Sequence, residues 1–180
     1  MTGGDYLMLY DLLKSRRSIR RFQSREVEKE KVDTILKSAL LSPSSRSRRP
    51  WEFVAVTDKE LLMKLSKSRE HGSAFIEGAP LGIVVIAHSE ICDVWIEDAS
   101  IASIIIQLSA QSLGLGSCWI QIRDRYHSED LKSEDYIKGI LGIPAKYSVE
   151  CMVAVGYPAE EKEAYSEEGL LYDKLHFNKY

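Results

Sequence analysis

Cysteine is scarce in this sequence: Cys92, Cys118 and Cys151 are the only three in 180 residues, odd in number, widely separated and without a Cys-x-x-Cys pair. That pattern excludes a disulfide framework. With no amino-terminal stretch that reads as a signal peptide, reduced thiols in a cytoplasmic protein are expected. The four histidines, His71, His88, His127 and His176, lack metal-ligand spacing, so no metal is expected. No Gly-x-Ser-x-Gly elbow and no phosphate loop closing on Gly-Lys-Ser/Thr occurs, which leaves hydrolase and nucleotide-triphosphatase readings without support. Nor is there an unbroken apolar run near a helix that is long enough to cross a membrane. Residues 101–115 come nearest, yet Ser103, Gln107, Ser109, Gln111, Ser112 and Gly114 interrupt them, whereas a membrane span needs about 20 predominantly apolar residues. A soluble protein with no membrane association is therefore expected.

What is present has the composition of a globular protein, 44% apolar and 28% charged. The length suits a single domain over residues 1–180. The net charge of −3 conceals an asymmetry. Residues 1–50 carry 12 of the 24 basic side chains and only 6 of the 27 acidic ones, leaving 12 basic and 21 acidic in residues 51–180. The amino-terminal part is thus a candidate anion site, and arginine dominates it.

Apolar spacing predicts the elements. Leu9, Leu12 and Leu13 give a short amphipathic helix, and Val32, Ile35, Leu36, Ala39 and Leu40 a clearer one that stops before Pro43. Residues 42–49 are polar and aperiodic, hence a loop, and 51–57 read as a strand. Asp58 can cap a helix carrying Leu61, Leu62 and Leu65. Residues 81–87 form an apolar, β-branched strand. About 93–113 form a central helix with Glu97 and Asp98 in its first turn and Gly114 or Gly116 as its stop. Residues 117–122 return as a strand, 128–141 as a helix, and 149–156 as a last core strand. The remaining 24 residues hold Tyr165, Leu170, Leu171, Tyr172, Leu175, Phe177 and Tyr180 among many charges. Such a tail is too apolar for a solvated end and too irregular for its own helix, so it should pack across another surface, a second subunit among the candidates.

Three strings carry possible chemistry. Arg16-Arg17-Ser18-Ile19-Arg20 follows a helix and suits a phosphate monoester, because guanidinium forks bond phosphate oxygens in pairs and a serine hydroxyl adds a neutral partner. The same string also reads as a solvated basic face. Pro43-Ser44-Ser45-Arg46-Ser47-Arg48-Arg49-Pro50-Trp51 brackets a polar loop between prolines, which could line a ligand or simply connect a helix to a strand. Leu113-Gly114-Leu115-Gly116-Ser117-Cys118-Trp119 has glycines that either end the helix or let backbone amides approach a planar ligand. It lacks the third glycine of the dinucleotide fingerprint. Cys118 reads as a packed thiol.

Taken together and in this order, the strings resemble the nitroreductase-like flavoproteins. That family opens with Arg-Arg-Ser-x-Arg-x-Phe after a helix, here Arg16 to Phe22. It continues with a Pro-Ser loop ending in Pro-Trp, here Pro43 to Trp51, and leads its central helix into Gly-Leu-Gly-x-Cys-Trp, here Gly114 to Trp119. The end of the chain, Leu175 to Tyr180, is similar to the close of its shorter members.

The resemblance implies an α+β, nitroreductase-like fold: a central mixed sheet flanked by helices, in a homodimer whose carboxy-terminal tails are exchanged. It implies flavin mononucleotide (FMN) at the subunit interface. Arg16, Arg17, Ser18 and Arg20 would hold its phosphate and edge, and Ser44, Ser45 and Arg46 would come from the other subunit. Backbone amides around Gln121 and Ile122 would face the central ring, and Lys179 would add a phosphate contact. Where the family commonly reads Asn-x-Gln-Pro-Trp, this chain has Ser47-Arg48-Arg49-Pro50-Trp51. Arg49 near the ring would stabilise the anionic reduced flavin or attract an anionic substrate.

The implied activity is ping-pong hydride transfer from NADH or NADPH to a small-molecule acceptor such as a nitroaromatic or quinone. The chemistry lies on FMN and no side chain serves as a dedicated acid or base. Two rivals stand beside it: a flavin-binding or flavin-processing protein without nitroreductase turnover, and an arginine-rich nucleic-acid-binding module. Against the second stand the acidic remainder and the few aromatics among the arginines, so no nucleic-acid partner is expected.

Overall fold

Two strands are buried along nearly their whole length, and that burial organises the chain. The computed structural model describes residues 9–180, so the first eight residues of the expected 1–180 domain lie outside the described residues. The elements run α1 (Leu9–Ser15), α2 (Lys29–Leu40), β1 (Trp51–Val56), α3 (Lys59–Ser66), β2 (Leu81–His88), α4 (Trp95–Ser112), β3 (Gly116–Gln121), β4 (Tyr126–Ser128), β5 (Leu131–Lys132), α5 (Ser133–Leu141) and β6 (Tyr147–Gly156). The main sheet has the order β1-β2-β6-β3, so β3 is an edge strand.

Successive residues of β2 serve opposite faces of this sheet, as a period of two requires. Leu81, Ile83, Val85 and Ala87 pack with Ile35 and Ala39 of α2 and with Ala99, Ile106 and Ala110 of α4. Val84 and Ile86 pack with Leu62 and Leu65 of α3 and Ile137 of α5. Helices thus cover both faces, the architecture of an α+β fold. The predicted α2, β1, β2, α4, β3 and β6 all form within a few residues of the expected bounds, and the Asp58 carboxylate does cap α3, accepting from the Leu61 N–H at 2.9 Å.

Two expectations are corrected. Every strand pairing of the main sheet is antiparallel, not mixed; among the described residues the parallel pairing is the single bridge Ser18↔Ser117. Strands apolar on both faces usually signal parallel sheets, but here helices on each side of an antiparallel sheet give the same burial. The helix expected over 128–141 begins only at Ser133. Before it, β4 and β5 pair as a small hairpin, tied down by the Ser133 N–H donating to the Arg125 carbonyl at 2.9 Å.

The tail crosses the amino-terminal part and then runs exposed. The Tyr165 N–H donates to the Lys14 carbonyl at 2.9 Å, beyond which Leu171, Tyr172, Leu175, Phe177 and Tyr180 all face outward, Phe177 at 85%. The exposed Ile101 and Ile104 of α4 and Leu40 and Leu41 at the end of α2 add further uncovered apolar surface. No helix of the described residues is long and apolar enough to cross a membrane.

Glu28 fastens the start of α2. Its carboxylate accepts from Arg25 at 2.5 Å and from the Tyr157 hydroxyl at 2.7 Å, and the Lys31 ammonium reaches the same hydroxyl at 2.9 Å. These bonds, the Tyr157 one foremost, hold the Glu28 carboxyl down to about 2 from its ordinary 4.5. A depressed folded-state pKa contributes stability that is full above pH 4.5 and lost as pH falls toward 2. Urea midpoints across that window should fall less in Glu28→Gln than in the wild type; equal falls would show that Glu28 is not coupled to folding. Gly116 makes a second test. A Cβ there would stand 2.8 Å from the Cβ and Cγ1 of Ile19, and that Cβ is fixed to the backbone and cannot rotate away, so Gly116→Ala should lower unfolding stability by about 1–3 kcal/mol, read from the same midpoints.

Candidate functional site

Residues 16–22 form an extended strap that meets the free edge of β3 at Ser117 and then pairs with residues 157–159 beyond β6. The Ile19 N–H donates to the Ser117 carbonyl at 3.0 Å, Ser18 bridges Ser117, and Phe22 bridges Pro158. Ile19 is buried against Gly116, while Ser18 is half-buried and Arg20 exposed on the alternate positions. An extended chain alternates its side chains, so anchoring Ile19 inward turns Ser18 and Arg20 the other way.

From the far end of the chain, a second segment closes over this strap. Lys162 Nζ donates to the Ser18 carbonyl at 2.5 Å. The Glu160 carboxylate accepts from the Arg20 N–H at 2.5 Å and the Arg21 N–H at 3.2 Å, the Arg20 bond being the chief reason that its pKa is lowered. Arg17 donates to the Glu163 carbonyl and lies 4.6 Å from the centre of the Tyr165 ring. The Cys118 thiol on β3 is buried. Burial pushes that thiol up, while Arg20, the Ser18 side chain, Lys162 and Arg16 pull it down without prevailing. Neither Arg16 nor Arg20 makes a side-chain ion pair among the described residues.

Lys162 was not singled out by sequence reasoning. It sits between Glu160, Glu161 and Glu163 in an aperiodic stretch, and only the crossing of the tail over the strap brings it to Ser18.

The free edge continues to Gln121. The Ile122 N–H donates to the Glu150 carbonyl at 3.2 Å, so the antiparallel alternation turns the N–H groups of Trp119 and Gln121 away from β6. Ile122 is fully buried and its own N–H is committed to that bond, which leaves Gln121 to present an amide. The Gln121 side chain is fixed at both ends: its Oε1 accepts from Trp119 Nε1 at 3.0 Å, and its Nε2 donates to the Arg123 carbonyl at 3.1 Å.

The loop of residues 43–50 stands elsewhere, on the first turn of α4. Asp98, 3% exposed, accepts the Ser45 N–H at 2.9 Å through Oδ1 and receives the Cys92 thiol at 3.3 Å through Oδ2. Ser44 Oγ accepts the Arg49 N–H at 2.8 Å. Arg46, Ser47 and Arg49 have φ of 52°, 53° and 47°, a left-handed conformation that costs an L residue roughly 1–2 kcal/mol. The surrounding bonds over-determine it. The Arg46 and Arg49 side chains are exposed. No hydrogen bond or ion pair among the described residues joins this loop to the strap, and Lys179, exposed in the tail, is bonded to neither. One chain therefore brings together Arg16, Arg17, Ser18 and Arg20, and it places Gln121 on the same sheet edge. It leaves Ser44, Ser45, Arg46, Arg49 and Lys179 outside that group.

A cavity of about 810 Å³, lined by residues such as Gln23, Glu28, Lys59 and Pro80, includes none of these groups. Among the described residues no cluster of three or more His, Cys, Asp or Glu could hold a metal ion.

Comparison with known proteins bears on the whole chain. The profile of the Nitroreductase family matches residues 13–72 and 64–157. An FMN-dependent nitroreductase of Clostridium difficile R20291 superposes with a TM-score of 0.93 at 55% identity, over 94% of this chain and 98% of that one. A protein of Archaeoglobus fulgidus provisionally named NADH dehydrogenase/NAD(P)H nitroreductase is 34% identical over 174 residues, 94% of this chain and 97% of its own. One of the same name from Methanothermobacter thermautotrophicus is 38% identical over 153 residues, 83% of this chain and 77% of its own.

Asp98 is the test of how the loop is held. Asp98→Ala leaves the Ser45 N–H without its acceptor and should cost about 1–3 kcal/mol, with faster hydrogen exchange at the Ser45 amide. Asp98→Asn keeps one acceptor and should lose less; equal losses would show that the Oδ1 bond is not what holds the loop.

Proposed function

The chain belongs to the nitroreductase family, and from that premise we propose that residues 1–180 act as one FMN-binding domain, paired with a second copy, that reduces small acceptors such as nitroaromatics or quinones with NADH or NADPH. The observation that carries this reading is the meeting of Lys162 with the strap that bears Arg16 and Arg20, its ammonium on the Ser18 carbonyl at 2.5 Å where the strap joins the start of β3. Three cations from two distant segments, two of them without side-chain carboxylate partners among the described residues, suit a phosphate monoester. Gly116 supports the fit, since the strap rests where a Cβ would stand.

Arg16, Ser18, Arg20 and Lys162 bind the phosphate and the flavin edge. Arg17, already engaged with Glu163 and Tyr165, orients the strap. The Gln121 N–H donates to the central ring, and the buried Ile122 steadies the peptide beside it. FMN, when bound, supplies the two-electron chemistry; the protein supplies binding, orientation and exclusion of water. Ser44, Ser45, Arg46 and Arg49 complete the site from the second copy; within one chain their loop is bonded to Asp98 of α4 and not to the strap. Lys179 adds a phosphate contact from the exchanged tail.

The dimer accounts for the uncovered apolar surface. Leu171, Tyr172, Leu175 and Phe177 are exposed in one chain, and apolar area removed from water stabilises by about 25 cal/mol per Å², so exchange of the tails favours pairing. The buried, unpaired thiols of Cys92, Cys118 and Cys151 suit the cytoplasm.

The test is a visible spectrum of the purified protein, its mass in solution, and anaerobic addition of each nicotinamide. A yellow dimer bleached by NADH or NADPH is expected, with Arg20→Ala and Lys162→Ala each weakening FMN binding about tenfold or more. A colourless monomer that takes up no FMN would overturn the reading.

A further inference from the structure

The Gln121 edge carries two further charges that the phosphate-holding group does not use. Arg69 follows α3, is half-buried, and donates from Nη1 to the Gln121 carbonyl at 3.2 Å. The ladder alternation that turns the Gln121 N–H off the sheet turns this carbonyl the same way. The guanidinium therefore stands at the edge where the Gln121 amide is presented.

Arg125 comes to the same place from the turn after β3. Its N–H donates to the Ile122 carbonyl at 3.1 Å, its carbonyl accepts from Ser133 at 2.9 Å, and Asp124 before it has φ of 56°. Backbone bonds on both sides fix the turn, so the side chain leaves from a rigid base. The Arg125 guanidinium donates from Nη1 to the Asp124 carbonyl at 2.8 Å, so both cations are tied to the short stretch from Gln121 to Asp124; burial first, and then the charge of Arg125, push the Arg69 pKa down.

Neither guanidinium makes an ion pair among the described residues. The nearby carboxylates have other partners: Arg123 pairs with both Glu150, at 3.1 Å, and Asp124, while Glu70 faces His71 at 3.8 Å and is largely exposed. Two adjacent guanidinium groups repel each other, and the half-buried one has given up hydration. An anion against them relieves both costs, and their planar forks suit a carboxylate or phosphate.

We infer that Arg69 and Arg125 form a subsite for an anionic group, carboxylate or phosphate, on the molecule that exchanges electrons at the Gln121 edge. This rests on the FMN reading and adds a substrate class to it: acceptors or donors that carry negative charge.

The test compares 4-nitrobenzoate with its neutral methyl ester as acceptors for the purified holoprotein, and NADPH with NADH as donors, in wild type, Arg69→Gln and Arg125→Gln. If the anionic group is the acceptor's carboxylate, the ratio of kcat/KM for acid over ester should fall by about tenfold or more in each variant. If it is the donor's phosphate, the NADPH-over-NADH ratio should fall instead. Arg69→Lys, which keeps the charge and loses the fork, should fall between. Ratios unchanged in both variants, or a lowered flavin midpoint potential without any change in the ratios, would overturn the subsite, the latter by assigning Arg69 to the flavin ring. Visible absorbance separates this failure from that of the FMN reading. Should the protein prove to hold no flavin, calorimetric titration with the same acid and ester decides: equal binding of the two overturns the subsite, and preference for the acid that is lost in the variants sustains it.

Discussion

A strand edge must find partners for its outward N–H and C=O groups, and at β3 the chain solves this in two ways. Toward its start, the strap of residues 16–22 supplies a backbone bond from Ile19 to Ser117, and Gly116 lets it come close enough to bury Ile19. Toward its end, Trp119 and Gln121 are left facing outward. The arginines are ordered by the first arrangement and the amides are left available by the second. Were the strap not pinned, Arg16 and Arg20 would be solvated side chains on a loop, each with its full rotamer freedom.

The sheet behind this edge makes the pinning possible. Alternate residues of β2 and β6 feed two separate apolar clusters, α2 and α4 against one face and α3 and α5 against the other. Close-packed interiors transmit displacement rather than absorbing it, so the β3 edge is held by elements from most of the chain. The Glu28–Tyr157–Lys31 group and the Asp58 cap tie helix ends to the same frame.

Electrostatics divides the molecule along the same lines. The positive balance of the first 50 residues is not one patch: Arg16 and Arg20 gather at the strap, Arg17 and Arg21 turn to residues 160–165, and Arg46 and Arg49 stand out on the loop beside α4. Acidic residues of the tail meet some of the excess, as Glu160 does at the Arg21 guanidinium, 3.7 Å away. The outward apolar side chains of that tail are the complementary fact, surface that one chain alone does not cover.

Local order was legible in the residues alone. Spacing of Val32, Ile35, Leu36 and Ala39 marks α2, the β-branched run of β2 marks a buried strand, Asp58 marks a cap, and the three motif strings mark the family, because helix period, strand burial, capping and turn chemistry are properties of neighbours along the chain. Strand direction was not legible, since an apolar run reads the same in either direction, and the β4–β5 hairpin was missed because strands so short carry no periodicity. Lys162 at Ser18, Asp98 under Ser45 and Arg69 at Gln121 join residues 144, 53 and 52 positions apart. No local signal encodes such meetings; they exist only because packing of the sheet and its helices fixes where distant segments cross.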